Sequence, residues 1–329
     1  MKKIGLLVVL MALVIACTAK TEPVSTAFYF WRTTFALSPA EQNSLTDLQV
    51  KKLYIRYFDI GLQNKEPIPV APIVFNESPK KYQVVPVVYI KNEVFLQTTQ
   101  TDSLAEKVYH YIQQINQSAD VSVNEIQFDC DWSLQSKQNY FQFLEAFKKW
   151  HPNVTATIRL HQIKYPEKTG IPPVKNGVLM YYNMGVIGSD NENSIYSQKI
   201  AQKYVASLQN YKLPLNIALP VFSWGVHVRN NQITNLIGGL RVNDLTGDEF
   251  KKISENRFKV LKDVVFKGRY LAKDDEIKIE AVSANQLKEM MHDIKQNSKH
   301  KPNEIIFYDL NENNLKAYEN KDFKTVSSW

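Results

Sequence analysis

The sequence predicts an α/β fold, a (β/α)8 TIM-like barrel with an insertion between strands seven and eight. Three observations predict it. Eight segments with the alternating or continuously apolar pattern of strands recur along the chain. Helical patterns fall between most of them, which is the arithmetic of the barrel. No Gly-rich phosphate turn follows the first strand, which lowers the competing reading, an open doubly wound sheet.

The first strand is TAFYFWR, 26–32, and Ser38-Pro39-Ala40-Glu41 after it is a helix start: a cap, a first-turn proline and a carboxylate. KLYIRYFDIG, 52–61, is the second strand. The Pro-rich stretch beyond it (Pro67, Pro69, Pro72) is expected to loop over the barrel rim. YQVVPVVYIKN, 82–92, is the third, with Pro86 at odds with a central position. An amphipathic helix is expected over 102–117, then strand four, NEIQFDCDWS, 124–133, and a helix over 138–150. TATIRLHQ (155–162), NGVLMYYNMG (176–185), PLNIALPVFSWGV (214–226) and NEIIFYDLN (303–311) complete the eight, with helices over 194–209 and 285–296. Residues 227–284 are too many for a simple βα connection. Their short β-like runs, ITNLIGGLRV and RYLAKDDEIKIEAV, form an insertion over the C-terminal rim.

Before the barrel, Lys2 and Lys3 precede the apolar run IGLLVVLMALVIA, too short and one-sided for a spanning helix. The ending Val14-Ile15-Ala16-Cys17 resembles a bacterial lipobox, in which the cysteine becomes the lipidated first residue. This divides the chain into a lipoprotein signal peptide (1–16), a polar tether (17–25) and a single barrel domain (26–329). Thr18 is not Asp, which by the usual sorting rule implies the outer membrane in a bacterium that has one. An exported, membrane-anchored lipoprotein on the periplasmic face or cell surface is therefore expected. The alternative is an ordinary signal peptide with a chance cysteine. Lipidation of Cys17 leaves Cys130 as the other of two cysteines, a core residue without a disulfide partner. The net charge of +7 is scattered in pairs such as Lys51-Lys52 and Lys148-Lys149, a solvated surface rather than a nucleic-acid stripe.

Barrel chemistry is carried at C-terminal strand ends. Strand four places Gln127, Asp129 and Asp131 on one face, and Ile126, Phe128 and Cys130 on the other. At ~3.3 Å per residue the two aspartates lie roughly 7 Å apart, where each raises the other's pKa unless a cation compensates. Asp129 and Asp131 are the candidate catalytic pair. The other strand ends supply Trp31, Asp59, Arg159, His161, Tyr182, Asn183, Trp224 and Asp309 as candidate substrate-binding residues. Aromatic faces stack on sugar C–H surfaces while carboxylates and amides take hydroxyls, so the expected partner is an oligosaccharide or polysaccharide. Structural roles compete: Arg159 as a neutralising ion pair, His161 as a core histidine, Trp31 and Trp224 as core rings. A metal reading through Asp59, Asp129, Asp131 and His161 has no HxH or HExxH spacing, and neither metal nor cofactor is expected.

FDCDWS resembles the strand-four signature Asp-x-x-Asp-x-Asp-x-Glu of family 18 chitinases, and LMYYNMG resembles their strand-six Met-x-Tyr-Asp. The chain also resembles uncharacterised bacterial barrel lipoproteins related to such hydrolases. The resemblance puts Asp129 and Asp131 on the second and third Asp, Tyr182 on the tyrosine that binds the N-acetyl group, and Asn183 on the Asp after it. It also puts Ile126 on the first Asp and Ser133 on the catalytic Glu, and lacks the strand-eight Trp, near which lie Phe307 and Tyr308. A serine hydroxyl cannot protonate a leaving glycosidic oxygen near neutral pH. The resemblance implies a cell-envelope lipoprotein whose glycoside-hydrolase-like barrel hydrolyses or binds a polysaccharide. Its alternative is a non-catalytic glycan-binding or scaffold lipoprotein that has lost the acid; if hydrolysis survives, Asp131 is its acid/base group and Asp59, Asp309 or the 190–192 loop the other sources of a proton.

Overall fold

The computed structural model describes residues 24–189 and 192–329. The signal segment, Cys17, most of the tether and Asp190 lie outside the described residues. Eight strands form the expected barrel: β1 (Ser25–Phe30), β2 (Lys52–Gln63), β3 (Gln83–Ile90), β4 (Ile126–Asp129), β5 (Val154–Arg159), β6 (Asn176–Met180), β7 (Leu215–Pro220) and β8 (Glu304–Tyr308). All pair in parallel in chain order, and β8 closes on β1 with Phe28 opposite Phe307.

The local chemistry explains the helices. Helix α1 (Pro39–Asp47) starts on a reciprocal capping box, Ser38 with Glu41. Helices α2 (Thr101–Ala119) and α3 (Lys137–Phe147) pack their apolar stripes on the barrel's outer face, where Phe128 of β4 meets Phe143 and Phe147 at 4.9 and 4.7 Å. Burying one such ring contributes about 1.5–3 kcal/mol. At the N-terminal end of the barrel Lys52 bridges Glu304 (2.6 Å) and Glu125 (3.3 Å), and Tyr54 donates to Glu304 at 2.6 Å. That end is sealed by its own ion pairs, leaving the C-terminal mouth for ligands.

Three expectations about these elements are corrected, and the place of Pro86 is explained. The Pro-rich stretch is not a loop: Glu66–Val70 is an antiparallel edge strand on the distal half of β2, with Asp59 opposite Val70. Pro67 and Pro69 have no N–H to give, which an edge position tolerates. Pro86 sits inside β3 beside a bulge in β2, and pairing of β3 with β4 begins only at Val87. The helix expected over 194–209 starts at Gln198 and tightens into a 3-10 turn at Ala206–Asn210. Residues 194 and 195 stay outside the helix, in a bend whose carbonyls accept from Gly185 and Asn183.

The apolar run 214–226 is two strands, not one. β7 ends at Pro220, Val221 N donates to the Tyr308 carbonyl, and the chain then enters a second sheet. This sheet is antiparallel, with the order Gln232–Gly238, Ser223–Arg229, Glu276–Ala281, Arg257–Val260, Phe250–Lys252. One face covers a separate small core containing Leu240, Phe258, Val260, Ile277 and Ile279. Alternation puts Lys278 and Glu280 on the other face, with Glu280 directly across from Trp224.

Candidate functional site

The C-terminal mouth is built from the strand ends upward. Inside the lumen Tyr29 donates to Gln127 Oε1 at 2.6 Å, so Gln127 faces inward and Asp129, two residues on, faces the same way. The Asp129 Oδ1 accepts from Thr157 Oγ1 at 2.6 Å and lies 3.3 Å from an Arg159 amino group. Burial raises the Asp129 pKa above the usual carboxylate range, with Arg159 and Thr157 restraining the rise. Asp131, just past β4, reaches the rim and accepts from Arg159 Nε at 2.5 Å. Arg159 closes β5 and holds both aspartates; burial opposes its charge, but the two carboxylates keep its pKa raised. This answers the like-charge problem of the pair with one guanidinium.

A cavity of about 320 Å3 opens here, lined by Asp131, Arg159, His161, Tyr182, Asn183 and Tyr204 among others. His161 is not on a strand, as expected, but on the short helix Leu160–Lys164, because β5 stops at Arg159 and Gln162 Oε1 takes the Arg159 N–H at 2.7 Å. Burial lowers its pKa. Tyr182 and Asn183 likewise follow the end of β6; Asn183 adopts φ 54°, a left-handed turn that Asn tolerates. The Tyr182 hydroxyl donates to Met180 Sδ at 3.2 Å, and burial drives its pKa up.

Beside the cavity the rings form a continuous aromatic floor. Tyr182 stacks on Tyr308 at 5.5 Å and 26°, and Tyr308 also meets Trp31 at 5.4 Å and Phe222 at 5.7 Å. Phe222 in turn meets Trp224 at 5.1 Å. Trp31 and Trp224 are each half-buried, packed on the core with part of the ring open. Trp224 belongs to the insertion sheet rather than to β7, which ends at Pro220, and joins the floor through Phe222 without lining the cavity itself.

Two candidates stand apart from the cavity. Both oxygens of Asp59 are committed to Arg56, at 2.8 Å each, and Asp59 does not line the cavity. Asp309 follows Tyr308 through a cis peptide bond and accepts from Asn314 Nδ2 at 2.5 Å. Burial pushes its pKa up to about 6, against the pull of the nearby Arg32. Arg32 itself is held at 2.8 Å by the fully buried Glu41. Ser133 points elsewhere: its backbone N–H and hydroxyl belong to a turn with Asn92 and Ser136. Among the described residues no three His, Cys, Asp or Glu side chains gather as metal ligands. Cys130 is fully buried, and burial raises its thiol pKa.

Reasoning from sequence missed Thr157 as the hydroxyl on Asp129, although it lies two residues before Arg159 on the same face of β5. It also missed Tyr204 in the cavity wall and the Lys278–Glu280 pair behind Trp224; a charged alternation in IKIEAV was the available signal.

No protein-family model matches the sequence, and neither does any curated protein. Solved structures do match. The chain superposes on the Bacillus cereus spore cortex-lytic enzyme SleL with a TM-score of 0.57 and 11% identity, over 93% of this chain and 74% of that one. A GH18 chitinase from Cycas revoluta in complex with (GlcNAc)3 gives 0.54 and 12% identity, over 92% and 99%. The chitinase-like agglutinin of Robinia pseudoacacia gives 0.53 and 10% identity, over 92% and 98%. The chain therefore has the TIM-like barrel fold of the GH18 chitinase-type structures.

Proposed function

We propose that the C-terminal mouth of this barrel is an oligosaccharide site in which Asp131 is the acid/base group and Asp129 the buried carboxyl behind it. The observation that carries this reading is the convergence of Asp131, Arg159, His161, Tyr182 and Asn183 on one cavity beside a floor of stacked rings. Its volume is at the low end of the roughly 300–1,000 Å3 of small-molecule sites, a fit for one sugar unit with neighbours over the rings. N-acetylated sugars are the first choice, since the Cycas revoluta chitinase of similar fold is described with (GlcNAc)3.

The geometry supports a register two residues earlier in the chain than the one the short motif suggests. Gln127, Asp129 and Asp131 alternate onto the lumen face, while Ser133 is tied to Asn92 and Ser136. Setting Asn124, Gln127, Asp129 and Asp131 on the four motif positions puts a carboxyl, one methylene shorter than Glu, where the acid belongs. Asp129, whose pKa burial raises, is then the proton-holding neighbour.

A second reading, binding without cleavage, is favoured by one contact: the Asp131 oxygen accepts a hydrogen bond from Arg159 Nε at 2.5 Å instead of presenting a proton to the cavity. Turnover and binding on a panel of β-linked N-acetylated and neutral oligosaccharides separate the two, with wild type beside Asp131→Asn. Cleavage by wild type alone supports the acid role; binding by both without product supports the second reading. Silence from both overturns the saccharide site. The chain is anchored to the membrane through lipidated Cys17, a reading supported by the sequence Val14-Ile15-Ala16-Cys17. Cys17→Ser is expected to move the protein from the membrane to the soluble fraction; an unchanged membrane fraction refutes the anchor.

A further inference from the structure

The insertion sheet hides a charged pair that the mouth chemistry does not use. Lys278 is 3% exposed and Glu280 1%. Their side chains meet at 2.7 Å, and the ammonium donates in addition to the carbonyls of Ser189 (2.5 Å) and Glu192 (2.6 Å). All three of its protons are thereby used. The Glu280 carboxylate shares its other oxygen between the Ser194 hydroxyl and the indole N–H of Trp224, the latter at 2.9 Å.

A buried ion pair is a poor device for stability alone, because well-packed apolar residues of similar size often serve as well or better. An apolar pair, however, reaches neither the two carbonyls nor the indole. The two chain segments it holds both border the candidate site. Ser189, Glu192 and Ser194 belong to the connection after β6, whose earlier residues Tyr182, Asn183 and Met184 line the cavity. Trp224 extends the aromatic floor through Phe222 and Tyr308. The cross-strand register that places Glu280 opposite Trp224 makes this contact a property of the sheet itself.

We infer that Lys278 and Glu280 are positioning residues: the insertion sheet uses them to clasp Ser189, Glu192 and Ser194 and fix the Trp224 indole, so that it forms one wall of the saccharide site. This rests on the reading of the mouth as a saccharide site and adds to it a specificity role for the insertion. Loss of the clasp lets Trp224 rotate away from the floor without removing any group that touches the reacting atoms.

The test uses the full chain labelled with 5-fluorotryptophan, whose five resonances are assigned by single Trp→Phe substitutions, Trp224→Phe among them. In Glu280→Leu and Lys278→Met the Trp224 resonance is expected to shift or broaden while those of Trp31, Trp132, Trp150 and Trp329 stay in place. Glu280→Gln, which keeps an acceptor for the indole, is expected to retain it. The Kd for chitotetraose is expected to rise about tenfold in the first two variants, the loss of one aromatic contact, with kcat unchanged if the sugar is cleaved. An unmoved Trp224 resonance overturns the inference, and so does movement of all five, which marks a general packing role. If wild type binds no saccharide, the mouth reading has failed, and the fluorine spectra still decide whether the pair positions Trp224.

Discussion

Arg159 is the single cation between two carboxylates, and removing it should give a destabilisation with a distinctive pH dependence. The Asp131 side chain is 54% exposed, so its pair is worth about 0–1 kcal/mol. The Asp129 side chain is 7% exposed, and stripping the partner from a buried charge costs about 3–5 kcal/mol. Thr157 still donates to Asp129 in Arg159→Leu, so about 3 kcal/mol at pH 8 is expected. Burial already raises the Asp129 pKa, and Arg159 is the foremost restraint on that rise. Without it the carboxyl takes a proton more readily in the folded chain. A raised folded pKa favours the fold below the unfolded value of about 3.9, and that advantage is lost as pH climbs through the folded one. The penalty of Arg159→Leu should therefore shrink to about 1 kcal/mol at pH 4, the cost of lost packing. Urea denaturation of wild type and variant at pH 4 and pH 8 measures both differences. Asp129→Asn added to Arg159→Leu should recover most of the loss at pH 8. An equal penalty at the two pH values, or a larger one at pH 4, refutes the assignment of Asp129 as the dependent charge.

Further outcomes follow from the same contacts. Asp309→Asn should raise stability by about 1–2 kcal/mol at pH 8 and leave it unchanged at pH 4, because its pKa is pushed up to about 6 and the charged form is the strained one in the fold; thermal melts at the two pH values check it. Cys130, in a chain carrying Cys17→Ser, should resist a thiol reagent while folded and react stoichiometrically in denaturant; rapid native reaction contradicts its burial. Glu304→Gln at the opposite end of the barrel should cost about 1–3 kcal/mol through Lys52 and Tyr54 yet leave oligosaccharide affinity unchanged, as titration calorimetry would show.

The barrel was legible because each of its eight strands is an uninterrupted apolar or alternating run, and most are separated by amphipathic helical patterns. The candidate site was partly legible for the same reason: strand ends mark the mouth, and Arg159 stands on the strand beside Asp129 and Asp131. What escaped depends on partners distant in sequence. The run 214–226 carries no local sign that its hydrogen-bond partners change at Val221, where β8 takes the backbone and the antiparallel sheet begins. Glu66–Val70 was hidden by its prolines, which signal a loop until an edge position is known. His161 and Asn183 lie two and three residues past the ends of their strands, since apolar periodicity does not mark where a barrel strand stops. Lys278 and Glu280 look like the solvated face of a strand; only the arrival of a segment some 90 residues earlier in the chain buries them.

The most direct test of the account is hydrogen exchange read by mass spectrometry on the full chain, with and without saturating chitotetraose. Protection confined to the peptides around 129–133, 157–161, 181–184, 222–226 and 307–310 is the predicted result. Protection elsewhere on the barrel, or none at concentrations where chitin-type oligosaccharides are in large excess, would contradict the assignment of the mouth as a saccharide site.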